Sequence, residues 1–303
     1  MATTRSSLPS TARGTNLEAF GATEWGLLAG IALIWGSSFF FIEIGLESFS
    51  PGVVTLARLG LGTAALALVK RARLPVDRTD LPRVAVLGLV WMAAPLLLFP
   101  IAQQWIDSAV SGMLNAAVPV TAAIWATALL RRMPGRRQLA GIIIGFGGVL
   151  GISLPELNDS SASAIGVGLL LLAVALYGLA ANLAVPLQQR YGALPVLLRA
   201  QAVALIVVLP VGLAQLGSST WSWRSGLAMV PLGVLGTGLA FVFMATLVGR
   251  AGATRGAVAI YFVPIVAILL GVLLLDETVA PIALVGAALV IVGAWVASRA
   301  ESE

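Results

Sequence analysis

Two stretches of equal length decide how this chain folds: PVTAAIWATALLRRMPGRRQLAGIIIGFGG, from Pro119 to Gly148, and PIVAILLGVLLLDETVAPIALVGAALVIVG, from Pro264 to Gly293. Pro119 corresponds to Pro264, Gly141 to Gly286 and Gly148 to Gly293, all at an offset of 145 residues. Each stretch reads as apolar helix, short polar link, apolar helix, so the chain carries a duplicated pair of hydrophobic helices. The links differ in sign. Arg131, Arg132, Arg136 and Arg137 occupy the first, Asp276 and Glu277 the second. Basic residues stay on the cytoplasmic side of a membrane. A link that is basic in one copy and acidic in the other therefore fits a duplicate inserted the opposite way up.

The rest of the composition requires the same medium. Of 303 residues, 59% are hydrophobic and 10% charged, with a mean hydropathy of +1.00, whereas soluble domains carry roughly a quarter charged residues. Many of the 33 glycines lie inside apolar runs, the placement expected where helices approach closely in lipid. The absence of Cys and His excludes disulfides and thiolate chemistry, and haem held by those ligands. Zincin, Walker and paired-acid signatures are missing as well. Lys70, the sole lysine, sits in an arginine-rich link and not in a span, where a retinal Schiff base would need it. No enzyme, cofactor or metal site is expected. The net charge of +5 is concentrated beside hydrophobic segments, which points to membrane orientation and not to nucleic acid. Residues 1–20 are polar and lack the apolar core of a removable signal peptide.

Runs of about 20 apolar residues suffice to cross the hydrocarbon layer. They predict helices near 23–43, 51–70, 82–103, 107–130, 137–154, 164–186, 193–213, 226–248, 254–275 and 279–298. With the N-terminus inside, the inner links and tails hold Arg5, Arg13, Lys70, Arg71, Arg73, Arg78, Arg83, Arg131, Arg132, Arg136, Arg137, Arg190, Arg250, Arg255 and Arg299, which is 15 of the 18 basic residues. Both termini are thus expected in the cytoplasm. The expected fold is an all-α membrane protein of ten transmembrane helices in two inverted five-helix repeats, an arrangement that recurs in secondary transporters. The boundaries are a cytoplasmic tail at 1–22, a first repeat at 23–154, a second at 155–298 and a cytoplasmic tail at 299–303.

Ionisable and polar groups inside such spans mark candidate sites. Arg58 and Arg199 each lie in the second span of a repeat and could hold a substrate carboxylate or a gate contact; snorkelling to a headgroup is the plainer alternative. Glu43 stands at the outer end of the first span, where it could pair with Arg58 to close the outer mouth or simply face the interface. Polar and aromatic groups expected to line a cavity are Trp35, Ser38, Gln104, Asn115, Tyr177, Asn182, Gln201 and Tyr261, with Thr237 in the eighth helix. Trp91, Trp105, Trp221 and Trp223 are read as cavity or interface residues, the last two as interface anchors. Pro119 and Pro264 free a backbone carbonyl one turn earlier at matched places, and are expected to act as hinges. No carboxylate lies at the middle of a span, which disfavours proton coupling through a central acid.

These landmarks resemble the drug/metabolite transporter superfamily, in particular its EamA-domain branch. The resemblance is carried by Trp35-Gly36-Ser37-Ser38, Arg58, Asn115 to Pro119, Ala259 to Pro264, Leu275-Asp276-Glu277 and the glycines from Gly286 to Gly293. It spans almost the whole chain. Within the branch the chain is most similar to bacterial YddG-type exporters of aromatic and other amino acids. That resemblance implies an inner-membrane carrier working by alternating access, with helices 1–4 and 6–9 around a central cavity and helices 5 and 10 outside it. The family's acidic ending of helix four is replaced here by Arg131-Arg132-Met133.

The resulting expectation is a monomeric, multi-pass carrier that exports small neutral or aromatic amino acids across the bacterial inner membrane. Its partners would be those solutes, or other small amphipathic metabolites, and the lipid bilayer. A metabolite or drug exporter of the same superfamily and a membrane channel are the alternatives.

Overall fold

The computed structural model describes residues 21–130, 136–159, 161–251 and 256–298, and it is helical almost throughout. Helices α1 (Ala22–Leu46), α2 (Pro51–Leu68), α3 (Arg78–Ala102) and α4 (Ser108–Leu129) precede α5 (Arg136–Asp159). Then follow α6 (Ser161–Tyr191), α7 (Ala193–Ala214), α8 (Trp223–Ala251), α9 (a tight turn Ala257–Phe262 continued by Val263–Leu274) and α10 (Pro281–Ser298). Among the described residues, α1 to α4 and α6 to α8 are long and apolar enough to cross a bilayer. Helices α5, α9 and α10 contain shorter apolar runs, Leu139–Ile152, Ala259–Leu274 and Pro281–Gly293. The molecule is therefore an all-α, multi-pass membrane protein. Arg5, Arg13, Arg131, Arg132, Arg255 and Arg299, six of the fifteen basic residues read as cytoplasmic, lie outside the described residues, as do the tails 1–20 and 299–303.

Burial confirms the medium. Leu33, Ile143, Ile206 and Leu273 are each more than 60% exposed, while Arg58, Asn115, Asn182 and Gln201 are buried. A soluble protein shows the reverse distribution. In hydrocarbon the exposed leucines and isoleucines cost nothing, and the polar groups must find partners inside.

Helix irregularities recur at corresponding places. The middle of α3, Gly88–Ala93, and of α8, Pro231–Leu239, is wound as a wide π-type turn. Pro231 has no amide hydrogen and opens the second of these. Near Pro119, α4 is interrupted: Ala116 and Ala117 bond back only three residues, to Met113 and Leu114 at 3.1 and 3.0 Å. The corresponding part of α9, before Pro264, is the tight turn Ala257–Phe262. Both prolines sit at these joints, where the missing amide hydrogen makes continuous α-geometry costly.

Cross-half contacts are also reciprocal. Helices α5 and α10 meet along glycines: a Cβ added at Gly148 would lie 2.6 Å from the Gly286 carbonyl oxygen, and one at Gly286 would lie 2.6 Å from that of Gly148. Gly151 approaches Gly286 and Ile282, and Gly293 approaches Gly145 and Gly141, so the two helices run antiparallel. The same sense holds for α4 against α9, where Ala109 is close to Gly271 and Val120 packs with Tyr261. Helices α2 and α7 are antiparallel too, with Gly52 beside Gln215 and Ala72 beside Arg199.

Polar clasps fix helix ends. Glu24 at the start of α1 accepts from Arg250 Nε at 2.8 Å near the end of α8, and Ser225 at the other end of α8 donates to the Ile44 carbonyl at 2.8 Å. Asp80 in the first turn of α3 accepts from Arg190 Nη1 and Tyr191 Oη, both at 2.7 Å, at the end of α6. At the opposite end of that pair, Ser163 donates to the Trp105 carbonyl at 3.2 Å. Helices α1 and α8, and likewise α3 and α6, are thereby held at both ends.

Candidate functional site

A pocket lies where the two halves meet. Helix α1 contributes Trp35, Ser38, Phe39 and Ile42, α2 contributes Arg58, α3 Trp91 and Phe99, and α4 Asn115 and Val118. From the second half come Tyr177 and Ala181 on α6, Phe241 and Met244 on α8, and Ile260 on α9. The peripheral helices α5 and α10 contribute nothing to this wall. Its void is about 40 Å³, space for roughly three water molecules. An amino acid side chain requires more, so the aromatic walls must separate before a substrate of that size enters.

Those walls are two groups of rings. Phe241 receives the edges of Trp35 and Trp91, at centroid distances of 5.0 and 5.6 Å. Phe99 stacks on Tyr177 at 5.8 Å and 26°, with Phe39 tilted against it at 5.5 Å. Edge-to-face and offset stacks are the preferred aromatic geometries. Trp91 is 2% exposed, so it belongs to this wall and does not anchor the interface. Trp221 and Trp223 stand 69% and 72% exposed at the α7–α8 link, as interface anchors do.

Among the described residues, Arg58 is the one charged residue in the wall. It is 3% exposed, and its Nε donates to Thr237 Oγ1 at 3.1 Å. The Thr237 hydroxyl in turn donates to the Leu232 carbonyl at 3.2 Å, a bond made available by the wide turn of α8. Thr237 and its neighbour Gly236 form a junction. Trp35 Nε1 donates to the Gly236 carbonyl at 3.0 Å, and Gln201 Nε2 of α7 donates to the Thr237 carbonyl. Polar groups from α1, α2 and α7 thus converge on two consecutive residues of α8. No Asp or Glu pairs with Arg58 among the described residues.

Of the two roles open to Glu43 in the sequence, the ion pair with Arg58 is not formed. Arg58 turns to Thr237, and Glu43, which is not part of the pocket wall, accepts from Gln103 Nε2 at 3.3 Å. Glu277 caps the start of α4, accepting from Ser108 N at 3.0 Å, Ser108 Oγ at 2.6 Å and Ala109 N at 2.9 Å. Burial, together with the Glu277 carboxylate, pushes the Asp107 carboxyl above its ordinary pKa.

Of the residues singled out in sequence, Trp35, Ser38, Arg58, Asn115 and Tyr177 are gathered in the pocket wall. The others stand elsewhere. Gln104 is exposed in the turn after α3. Asn182 is buried between α6 and α4, donating to the carbonyls of Ala122 at 2.9 Å and Gly178 at 3.0 Å. Arg199 is half-buried and donates to the Pro195 carbonyl at 2.9 Å and that of Ala72 at 3.5 Å, tying α7 to the link after α2. Gln201 lies behind the wall on the Thr237 carbonyl, and Tyr261 packs with Val120. Sequence reasoning missed the apolar lining, above all Phe39, Phe99, Phe241 and Met244. For Phe39 and Phe241, an aromatic ring more than a turn inside the helix was the available signal; Phe99, within a turn of the end of α3, and Met244 carried none.

Comparison with known proteins bears on what this pocket serves. The sequence profile of the EamA-like transporter family matches residues 24–154 and 164–299, one copy in each half. A probable terminal-alkyne amino-acid exporter of Streptantibioticus cattleyicolor is 28% identical over 91% of this chain and 93% of its own length. An uncharacterized transporter of Archaeoglobus fulgidus is 24% identical over 91% and 99%. The uncharacterized inner membrane transporter YedA of Escherichia coli is 29% identical over 85% of each chain. A crystal structure with 16% sequence identity shares the fold, with a TM-score of 0.69 over 92% of this chain and 98% of that one.

Proposed function

The chain belongs to the EamA-like transporter family of the drug/metabolite transporter superfamily, a family of secondary membrane transporters and not of enzymes, and from that premise we propose that it exports small neutral or aromatic amino acids by alternating access. One observation carries this reading: a buried guanidinium, Arg58, set among aromatic rings at the meeting of the two halves, with no acidic partner among the described residues. A cation at membrane depth costs several kcal/mol unless it is paired or faces water. A substrate carboxylate supplies the missing charge, and Trp35, Trp91, Phe99, Tyr177 and Phe241 supply apolar contact for a side chain. The name of the Streptantibioticus relative, an amino-acid exporter, agrees with this choice over drug or metabolite export.

The transport cycle follows from the proposed architecture of ten spans in two inverted five-helix repeats, 23–154 and 155–298. Antiparallel reciprocal pairing of α5 with α10, α4 with α9 and α2 with α7 supports inversion, because a two-fold axis lying in the membrane plane makes each helix antiparallel to its counterpart. On this reading both termini are cytoplasmic and the protein works as a monomer in the bacterial inner membrane. The joints before Pro119 and Pro264 act as hinges, Glu43 belongs to the outer gate, and the clasped pairs α1–α8 and α3–α6 move as units.

Purified protein in liposomes tests the proposal. Labelled aromatic or small aliphatic amino acids should accumulate transiently against an excess of the unlabelled compound inside. Absence of counterflow across a broad amino acid panel would remove the amino acid assignment. Flux without counterflow would make the protein a channel, and exchange of other amphipathic metabolites or drugs only would move it to the alternative exporters.

A further inference from the structure

The pocket wall is unequal toward the two charges of an amino acid. Among the described residues, Arg58 is its only ionised side chain, and no Asp or Glu belongs to the wall. Glu43 follows Ile42 on α1 but is engaged by Gln103 outside the pocket. Several of the wall's polar groups are already committed: Trp35 Nε1 to the Gly236 carbonyl, Ser38 Oγ to the Ile34 carbonyl at 2.8 Å, and Arg58 Nε to Thr237. Besides the Arg58 Nη groups, Asn115 and Tyr177 remain to meet a ligand. A carboxylate can draw on the guanidinium edge, an amide N–H and a phenol O–H. An ammonium finds neutral oxygens only, has three protons to satisfy, and gains no counter-charge for the water it gives up.

We propose that the transporter recognises the carboxylate and the apolar side group but not the amine, and so carries arylalkyl monocarboxylates lacking an amino group as a further substrate class. This rests on the reading of the pocket as the substrate cavity. The carboxylate lies on the Nη edge of Arg58, which is free of Thr237, and forms the two-point contact that a guanidinium offers. The aryl group lies between the Trp35–Phe241–Trp91 and Phe39–Phe99–Tyr177 rings once these part. Dicarboxylates are refused, since the wall holds a single cation and the second charge would be buried unpaired.

Three compounds of one shape separate the charges: phenylalanine, 3-phenylpropanoate and phenethylamine. In proteoliposomes at pH 8, with protein-free liposomes as the blank for passive leak, each is tested as a labelled counterflow substrate and as a competitor. Expected is counterflow of 3-phenylpropanoate, with half-inhibition within about threefold of phenylalanine, and inhibition by phenethylamine at least about tenfold weaker, the scale of one lost charge-assisted contact. Arg58→Gln should abolish 3-phenylpropanoate exchange. If phenylalanine exchanges while 3-phenylpropanoate neither exchanges nor competes, amine recognition is required and the inference fails with the amino acid assignment intact. Exchange of 3-phenylpropanoate without any amino acid would sustain the inference and remove that assignment. Exchange of neither overturns both, and phenethylamine competing as well as phenylalanine overturns the inference alone.

Discussion

Thr237→Val is the most direct probe of how Arg58 is set. Valine keeps the shape of threonine but deletes the hydroxyl that accepts from Arg58 Nε at 3.1 Å and donates to the Leu232 carbonyl at 3.2 Å. A hydrogen bond to a charged group contributes about 1.5–3 kcal/mol. The freed guanidinium can swing to another acceptor and recover part of that, so the loss of substrate affinity is set at about 1.4 kcal/mol, a roughly tenfold rise in KM. Maximal counterflow should change little, because a contact that positions Arg58 for the substrate acts on the loaded carrier and on its transition state alike. Thr237→Ser keeps the hydroxyl and should restore KM to near the wild-type value. The assay is counterflow of phenylalanine and of 3-phenylpropanoate in liposomes. A fall in KM for Thr237→Val would refute the reasoning, since Thr237 would then be competing with substrate for Arg58 instead of positioning it. Equal KM values in valine, serine and wild-type proteins would refute it as well.

Other perturbations address the frame. Glu277→Ala removes the acceptor of three donors at the start of α4 and should lower stability by about 2–3 kcal/mol, read as a lower Tm in detergent; an unchanged Tm would show the cap to be idle. Gly148→Val forces the α5–α10 seam apart and should cost about 1–3 kcal/mol. Gly60→Ala, with nothing within 4 Å of the added carbon, should leave Tm unchanged, and equal losses in the two variants would deny the seam any special closeness. Asp107 has a raised carboxyl pKa, so its ionised form is the less favourable one in the fold. The native protein therefore loses stability from this group as pH rises through the unfolded and then the folded pKa. Asp107→Asn should match wild type in acid and exceed its Tm near neutrality, and a variant less stable at neutral pH would contradict the sign.

The duplicated skeleton was readable because its landmarks are residues that sequence reports unambiguously. Pro119 and Pro264 mark joints in any helix, and Gly148 and Gly286 mark contacts that no side chain can enter. Arg58 was readable because an ionisable group in a span needs an explanation. The same rule named Arg199, which is satisfied by carbonyls of Pro195 and Ala72; a long cation that reaches the helix end looks identical in sequence to one that enters a cavity. The wide turns of α3 and α8 were not readable. Gly88 opens one and Pro231 the other, with no shared signature, since tertiary packing decides between neighbouring hydrogen-bond registers. Nor was the apolar wall, because Phe241 facing a cavity and a phenylalanine facing lipid obey the same hydropathy. Thr237 was noticed as polar, but its junction role depends on the turn that brings Leu232 within reach.

On the proposed cycle, the charge of Arg58, which meets no Asp or Glu among the described residues, would also make the carrier an electrical device. In a cavity that opens alternately to the two sides, a fixed cation takes up the potential of whichever side it faces. An elementary charge traversing the field is worth about 2.3 kcal/mol per 100 mV. With the cell interior negative, the proposed cycle would draw the empty carrier toward its inward-open form, where cytoplasmic solute would load. A monocarboxylate would neutralise the site, so the loaded carrier would turn outward without working against that field, whereas a zwitterion would leave the positive charge in place. Voltage would then slow the outward step for amino acids and spare it for simple carboxylates, and the same potential would bring the emptied carrier back.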